Sequence, residues 1–152
     1  MRDSATIANR FLALAKEDGN TLTPMQLLKL VYIAHGWGLG LYGVPLTRDE
    51  VQAWQYGPVI PRLYNRTRKF RSNPVQGPIL APQEELEPRD CDLIRQVYET
   101  YGDLSGPALS RITHAENTPW ALTYEPGSFG ITIPSDIIQD HYSRLAQNAD
   151  NE

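Results

Sequence analysis

Cysteine is all but missing from this chain: Cys91 is its single thiol among 152 residues. That excludes an internal disulfide framework and any cysteine-rich zinc site. Long apolar runs are missing too. The longest, Leu27 to Tyr42, is interrupted by Lys29, His35 and glycines at 36, 38 and 40, well short of the roughly 18 uninterrupted apolar residues that span a bilayer. The opening MRDSATIANRF has no continuous apolar core, so no secretory signal is expected there. These absences predict a soluble, cytoplasmic protein without membrane contact.

Catalytic signatures are absent as well. There is no G-x-S-x-G elbow, P-loop, G-x-G-x-x-G or H-E-x-x-H. His114 and Glu116 form an H-x-E pair, but the P-C-x-x-C that would complete a deaminase-type zinc site does not follow. His35, His114 and His141 fall on separate elements without ligand spacing, and His114 is better placed to close a helix C-terminus. Cys91 follows a helix start, which favours a thiolate, yet Asp90 and Asp92 flank it and oppose one. The chain therefore reads as a non-enzyme, with no catalytic residue, no metal site and no cofactor.

Charge of one sign is missing locally. From Val51 to Gln83 there is no acidic residue, while Arg62, Arg66, Arg68, Lys69 and Arg71 crowd into that segment. Glu84, Glu85, Glu87, Asp90 and Asp92 follow directly. Such adjacent blocks either neutralise each other across a fold or mark a polarised surface. The net charge of -4 gives no global reason to expect nucleic-acid binding. The basic segment, with Tyr64 and Phe70 among its charges, reads as a solvated face, a surface for an acidic protein partner, or a phosphate-contacting strip.

What is present suits one globular domain: 41% apolar and 21% charged residues, at a length that can bury a substantial core. Asp3 or Ser4 can cap a first helix with Ile7, Phe11 and Leu14 at helical spacing, ended by Gly19-Asn20. Thr23-Pro24-Met25-Gln26 combines a threonine cap, a proline at the first helical position and a capping-box glutamine. The helix it opens, about 24–42, is apolar on nearly all sides and is expected to be central and buried. VQAWQY at 51–56 reads as a short strand, with Gly57-Pro58 turning the chain into the next helix and 78–81 as its candidate pairing partner. Further helices are expected after Pro61 and Pro88, from about Ser105 to His114, briefly after Thr118-Pro119-Trp120, and from Pro134-Ser135 onwards. The fold class is mainly α with a minor β element, one domain over 1–147 and a disordered tail at 148–152.

Lys29 is the odd residue of the central helix. Among Leu27, Leu28, Leu30 and Val31 its ammonium must either snorkel to solvent or find a partner. Trp54, Tyr56, Tyr64 and Trp120 are core residues by default, but exposed aromatics beside arginines are what protein interfaces use.

Ala8-Asn9, Met25 with Leu27-Leu28-Lys29-Leu30 and Tyr32, Pro45-Leu46, Ala53-Trp54 with Gly57-Pro58-Val59 and Tyr64 together resemble the signature of the Panacea domain, known from SocA-like antitoxins and phage-associated proteins. Gly77-Pro78-Ile79 and the run from Leu109 through Thr113-His114 to Pro119-Trp120 are similar to its later landmarks. Two positions depart: Leu28 stands where the family has glutamine, and Thr47 where it has an aromatic. The resemblance implies an antitoxin of a type II toxin–antitoxin system that binds a co-encoded toxin protein without a cofactor, and a protease complex as a further partner if it also presents the toxin for degradation. It implies scaffold roles for Asn9, Tyr32, Pro45, Trp54, Gly57, Pro58, His114 and Trp120. Lys29, Arg62, Tyr64, Arg66, Arg68, Lys69 and Arg71 are the candidate partner-binding residues. The alternative is a phage or prophage accessory protein that takes a host factor or nucleic acid on the basic 62–71 segment.

Overall fold

The computed structural model describes residues 1–150. In chain order they form α1 (Ser4–Glu17), α2 (Pro24–Tyr42), β1 (Gln52–Trp54), β2 (Gly57–Val59), α3 (Pro61–Thr67), α4 (Pro88–Tyr101), α5 (Gly106–Thr113), α6 (Pro119–Thr123), β3 (Ile131–Thr132) and α7 (Ser135–Asp150). A 3₁₀ turn, Arg68–Phe70, extends α3. The mainly helical architecture with a small sheet is the one the sequence predicts.

The fold is organised around α2. Every residue from Leu27 to Gly36 is buried, and α1, α3, α4, α5, α7 and β2 all pack against this helix. Its start is built as expected: the Thr23 side chain accepts from the Gln26 amide, and Gln26 Oε1 accepts from the Thr23 amide at 2.9 Å. Such a reciprocal cap contributes about 1 kcal/mol and fixes where the helix begins.

The glycines that interrupt the apolar run are a contact surface. A Cβ at Gly40 would lie 2.6 Å from Tyr142 Cβ and 2.9 Å from the Ser143 amide, and one at Gly36 would enter the Tyr142 ring. α2 and α7 can approach this closely only because those side chains are missing. Tyr142 then fills the space, packing edge-on against Trp37 at 5.2 Å and Tyr32 at 6.4 Å.

The sheet departs from expectation. It has the order β2-β1-β3, with both pairings antiparallel and Ala53 opposite Pro58 on one side and Ile131 on the other. Gly57-Pro58 is therefore strand and not turn; the chain reverses at Gln55-Tyr56. Proline is tolerated because β2 is an edge strand with no ladder donor to lose there. The expected pairing with 78–81 does not form, because that backbone is already engaged. The Asn9 side chain donates to the Ile79 carbonyl at 2.9 Å and accepts from its amide at 2.8 Å, while Arg66 donates to the Leu80 carbonyl. α7 continues to Asp150, so 148–150 are helical backbone, and 151–152 lie outside the described residues.

Replacing Gly40 by alanine should force α2 and α7 apart. The backbone of Tyr142 and Ser143 cannot yield like a side chain, so destabilisation of roughly 1–3 kcal/mol is expected despite alanine's better helix propensity. Chemical denaturation of Gly40→Ala beside the wild type measures it.

Candidate functional site

Lys29 sits on the inner side of the β1–β2 hairpin. It is 4% exposed, and its Nζ donates to the Pro58 carbonyl at 2.9 Å. Gly57 makes this approach possible: its φ is +124°, and a Cβ there would stand 2.9 Å from the Lys29 nitrogen. Burial pushes the ammonium down to about 8. Of the two outcomes open to it, Lys29 has found a partner and does not snorkel.

The hairpin is held from the other side by α6. Trp120 Nε1 donates to the Trp54 carbonyl, and the Trp54 ring donates its own N–H to Gln52 at 2.9 Å. Trp120 also stacks on Tyr124 and meets His114 edge-on. His114 closes α5, its backbone amide and ring both directed at the Ser110 carbonyl. That is the structural role expected of it.

Between the hairpin, the start of α2, the end of α3 and the loop before β3 lies a groove of about 660 Å³. Its walls are Met25, Leu28, Val59, Trp54, Tyr64 and Tyr124, with Lys29 in its lining and Arg68 and Arg71 alongside. Trp54 packs between Tyr64 at 5.0 Å and Phe129 at 5.2 Å. Tyr56 and Phe129 stand at the rim, 70% and 79% exposed. With the apolar groove walls they make one continuous exposed apolar patch, the kind of surface that marks interaction sites.

The structure divides the candidate residues. Lys29, Tyr64, Arg68 and Arg71 come together in the groove, with Arg68 5.8 Å above the Tyr64 ring. Lys69 is exposed and sits over Phe70, outside the groove lining. Arg62 and Arg66 face elsewhere. Arg62 Nε donates to Asp3 at 2.7 Å, with Asp49 at 3.8 Å, and Arg66 fastens the 73–82 segment. Asp3 is fully buried; burial opposes its charge, but the Ala5 amide and Arg62 hold its carboxyl below the usual carboxylate range. The acidic block does not neutralise the basic one either: Glu84 pairs with Arg48 at 3.4 Å, and Glu87 with Arg2 at 3.6 Å.

Among the described residues no group of three or more His, Cys, Asp or Glu side chains is placed to hold a metal ion. Among the same residues no helix is long and apolar enough to cross a membrane. Tyr56, a core residue by default in the sequence, lies at the rim; Tyr124 is set in the groove by its stacking on Trp120, and Phe129 carries no sequence signal because it arrives only through the path of the loop before β3.

The family described as Antitoxin SocA-like, Panacea domain, matches residues 27–121. Antitoxin SocA of Caulobacter vibrioides (strain NA1000 / CB15N) is 30% identical over 154 residues, covering 92% of this chain and 82% of its own. The chain belongs to the SocA-like, Panacea-domain family. No solved structure matches.

In this Panacea domain several of the residues expected to act as scaffold lie on the cover of α2 or on the hairpin. Pro58 receives Lys29, Gly57 admits it, and Trp54 forms a groove wall. Asn9 clamps Ile79, Tyr32 is buried on α2, and Pro45 is half-buried just after that helix. Leu28 makes the wall beside Lys29 apolar.

The lysine has a signature in stability. Its folded-state value near 8 lies below the ~10.4 of an unfolded chain, so between these values the unfolded state binds more protons and stability rises with pH. Lys29→Met abolishes this linkage. The stability advantage of Lys29→Met over wild type should shrink by about 2 kcal/mol between pH 7 and pH 10, read by urea unfolding of both proteins at each pH.

Proposed function

We propose that this chain is the antitoxin of a type II toxin–antitoxin pair and neutralises a co-encoded toxin by direct contact at the aromatic groove. The observation that carries this reading is the groove's composition: exposed Tyr56 and Phe129 around Trp54 and Tyr64, with Arg68 and Arg71 beside them. Tryptophan, tyrosine and arginine are the residues on which protein interfaces concentrate their binding energy. Family membership supports the antitoxin role, and the similar protein from Caulobacter vibrioides is itself named an antitoxin. Presentation of the bound toxin to a protease fits the same reading, since one face of the domain can hold the toxin while others stay open.

Three measurements test it. The neighbouring gene's product should arrest growth when expressed alone, growth should return on co-expression, and the two proteins should co-purify. Tyr56→Ala combined with Phe129→Ala should weaken the complex by about a hundredfold or more, equivalent to ~2.7 kcal/mol. Because both side chains are largely exposed, the melting temperature should hardly move. A harmless neighbour that forms no complex sinks the reading. Salt-dependent binding to RNA or DNA that vanishes on charge reversal at Arg68, Lys69 and Arg71 would favour a nucleic-acid partner instead.

A further inference from the structure

The groove holds a charge without a counterion. An ammonium has three hydrogen-bond donors, and the Pro58 carbonyl takes one from Lys29. Burial lowers its proton affinity, and no carboxylate beside it offsets that effect. The lining adds Arg68 and Arg71 and contains no aspartate or glutamate, although the whole chain carries a net charge of -4. Two of the groove's neutral polar groups are already committed: Ser110 Oγ donates to the Tyr56 carbonyl at 2.9 Å, and Thr67 Oγ1 to the Leu63 carbonyl at 3.1 Å. A methionine at position 29 would fill similar space without the cost of dehydrating a cation. The lysine thus weakens the fold while leaving unspent donors beside an apolar groove.

We propose that Lys29 is the specificity-determining residue of this groove, and that it captures an Asp or Glu side chain carried on an apolar segment of the toxin. This rests on the groove being the toxin site. Charge complementarity selects the acidic side chain, and the walls of Leu28, Val59 and Trp54 select its apolar surroundings. Arg68 is exposed at the edge and steers the approach, while Lys29 forms the bond that is desolvated in the complex. An uncharged partner segment would leave the lysine buried deeper with no compensation, so the same residue rejects wrong partners.

The test uses the full chain and the purified product of the neighbouring gene. Lys29→Met should remain folded with an undiminished melting temperature at pH 7, yet bind about thirtyfold or more weakly by calorimetry. Substituting the toxin's acidic residues one at a time by Asn or Gln should identify one that weakens the wild-type complex to a similar degree. Combined with Lys29→Met, that change should add almost nothing, the signature of a direct pair in a double-mutant cycle. The toxin substitutions are read against wild-type antitoxin, so they decide the matter even if Lys29→Met folds poorly.

Lys29→Met binding as tightly as wild type, or additive cycles for every acidic residue, overturns the inference. If Phe129→Ala still weakens the complex in that case, the groove stands as the toxin site and only the lysine's role falls. If wild type does not bind the neighbour at all, both readings fall. Thermal stabilisation of wild type but not Lys29→Met by inorganic phosphate or ATP would reassign Lys29 to a small anion and also overturn the inference.

Discussion

A single hydrogen bond, from Lys29 to the Pro58 carbonyl, couples the most buried helix to the only hairpin among the described residues. The sheet and the groove are assembled around that contact. The bond fixes β2 against α2, and β2 fixes β1 with Trp54. Trp54 in turn offers its carbonyl to Trp120 and its ring to Tyr64 and Phe129. A cation inside an apolar helix would ordinarily be a defect. Here it marks the junction where α2, the sheet and the groove meet, although an apolar side chain at that place would hold the fold at lower cost.

The other side of α2 is held by different means. Where α7 crosses it, the contact is steric: missing side chains at Gly36 and Gly40 and one large ring from Tyr142. Where α1 packs, its N-terminus is tied down ionically, with buried Asp3 facing Arg62 and Arg48. One helix is thus enclosed by a hydrogen-bonded face, a close-packed face and an ion-paired end. The ion-paired end explains why the basic segment does not present one continuous face. Arg62 serves α1 and Arg66 serves the 73–82 segment, and of the segment's charges Arg68 and Arg71 line the groove.

Helix starts were legible in the sequence because their chemistry is local. Thr23 and Thr118 each cap the helix that the cap-then-proline pattern predicts, and Ser105 caps the helix expected from about that residue. The strand partner was not legible, since 78–81 and 131–132 are both short, weakly patterned pieces. What decides between them is the side chain of Asn9, some seventy residues away in sequence from Ile79. Lys29 could be singled out by composition, but its partner is a backbone carbonyl, which no residue pattern advertises. Phe129 was invisible for a related reason: an aromatic in a loop has no periodicity from which its neighbours can be inferred.

The groove draws together Met25 and Lys29 from α2, Trp54 from β1, Arg68 after α3, and Phe129 from the loop before β3. These residues are far apart along the chain, and β3, which anchors that loop, pairs with β1 across almost eighty positions. During synthesis the helices of the N-terminal half have their local signals long before the groove has its last wall. The surface is therefore completed only once the segment beyond Phe129 has left the ribosome. Nascent or C-terminally shortened chains can contain α2, Lys29 and the hairpin and still lack the wall that Phe129 adds, so this face takes its final shape only in finished chains.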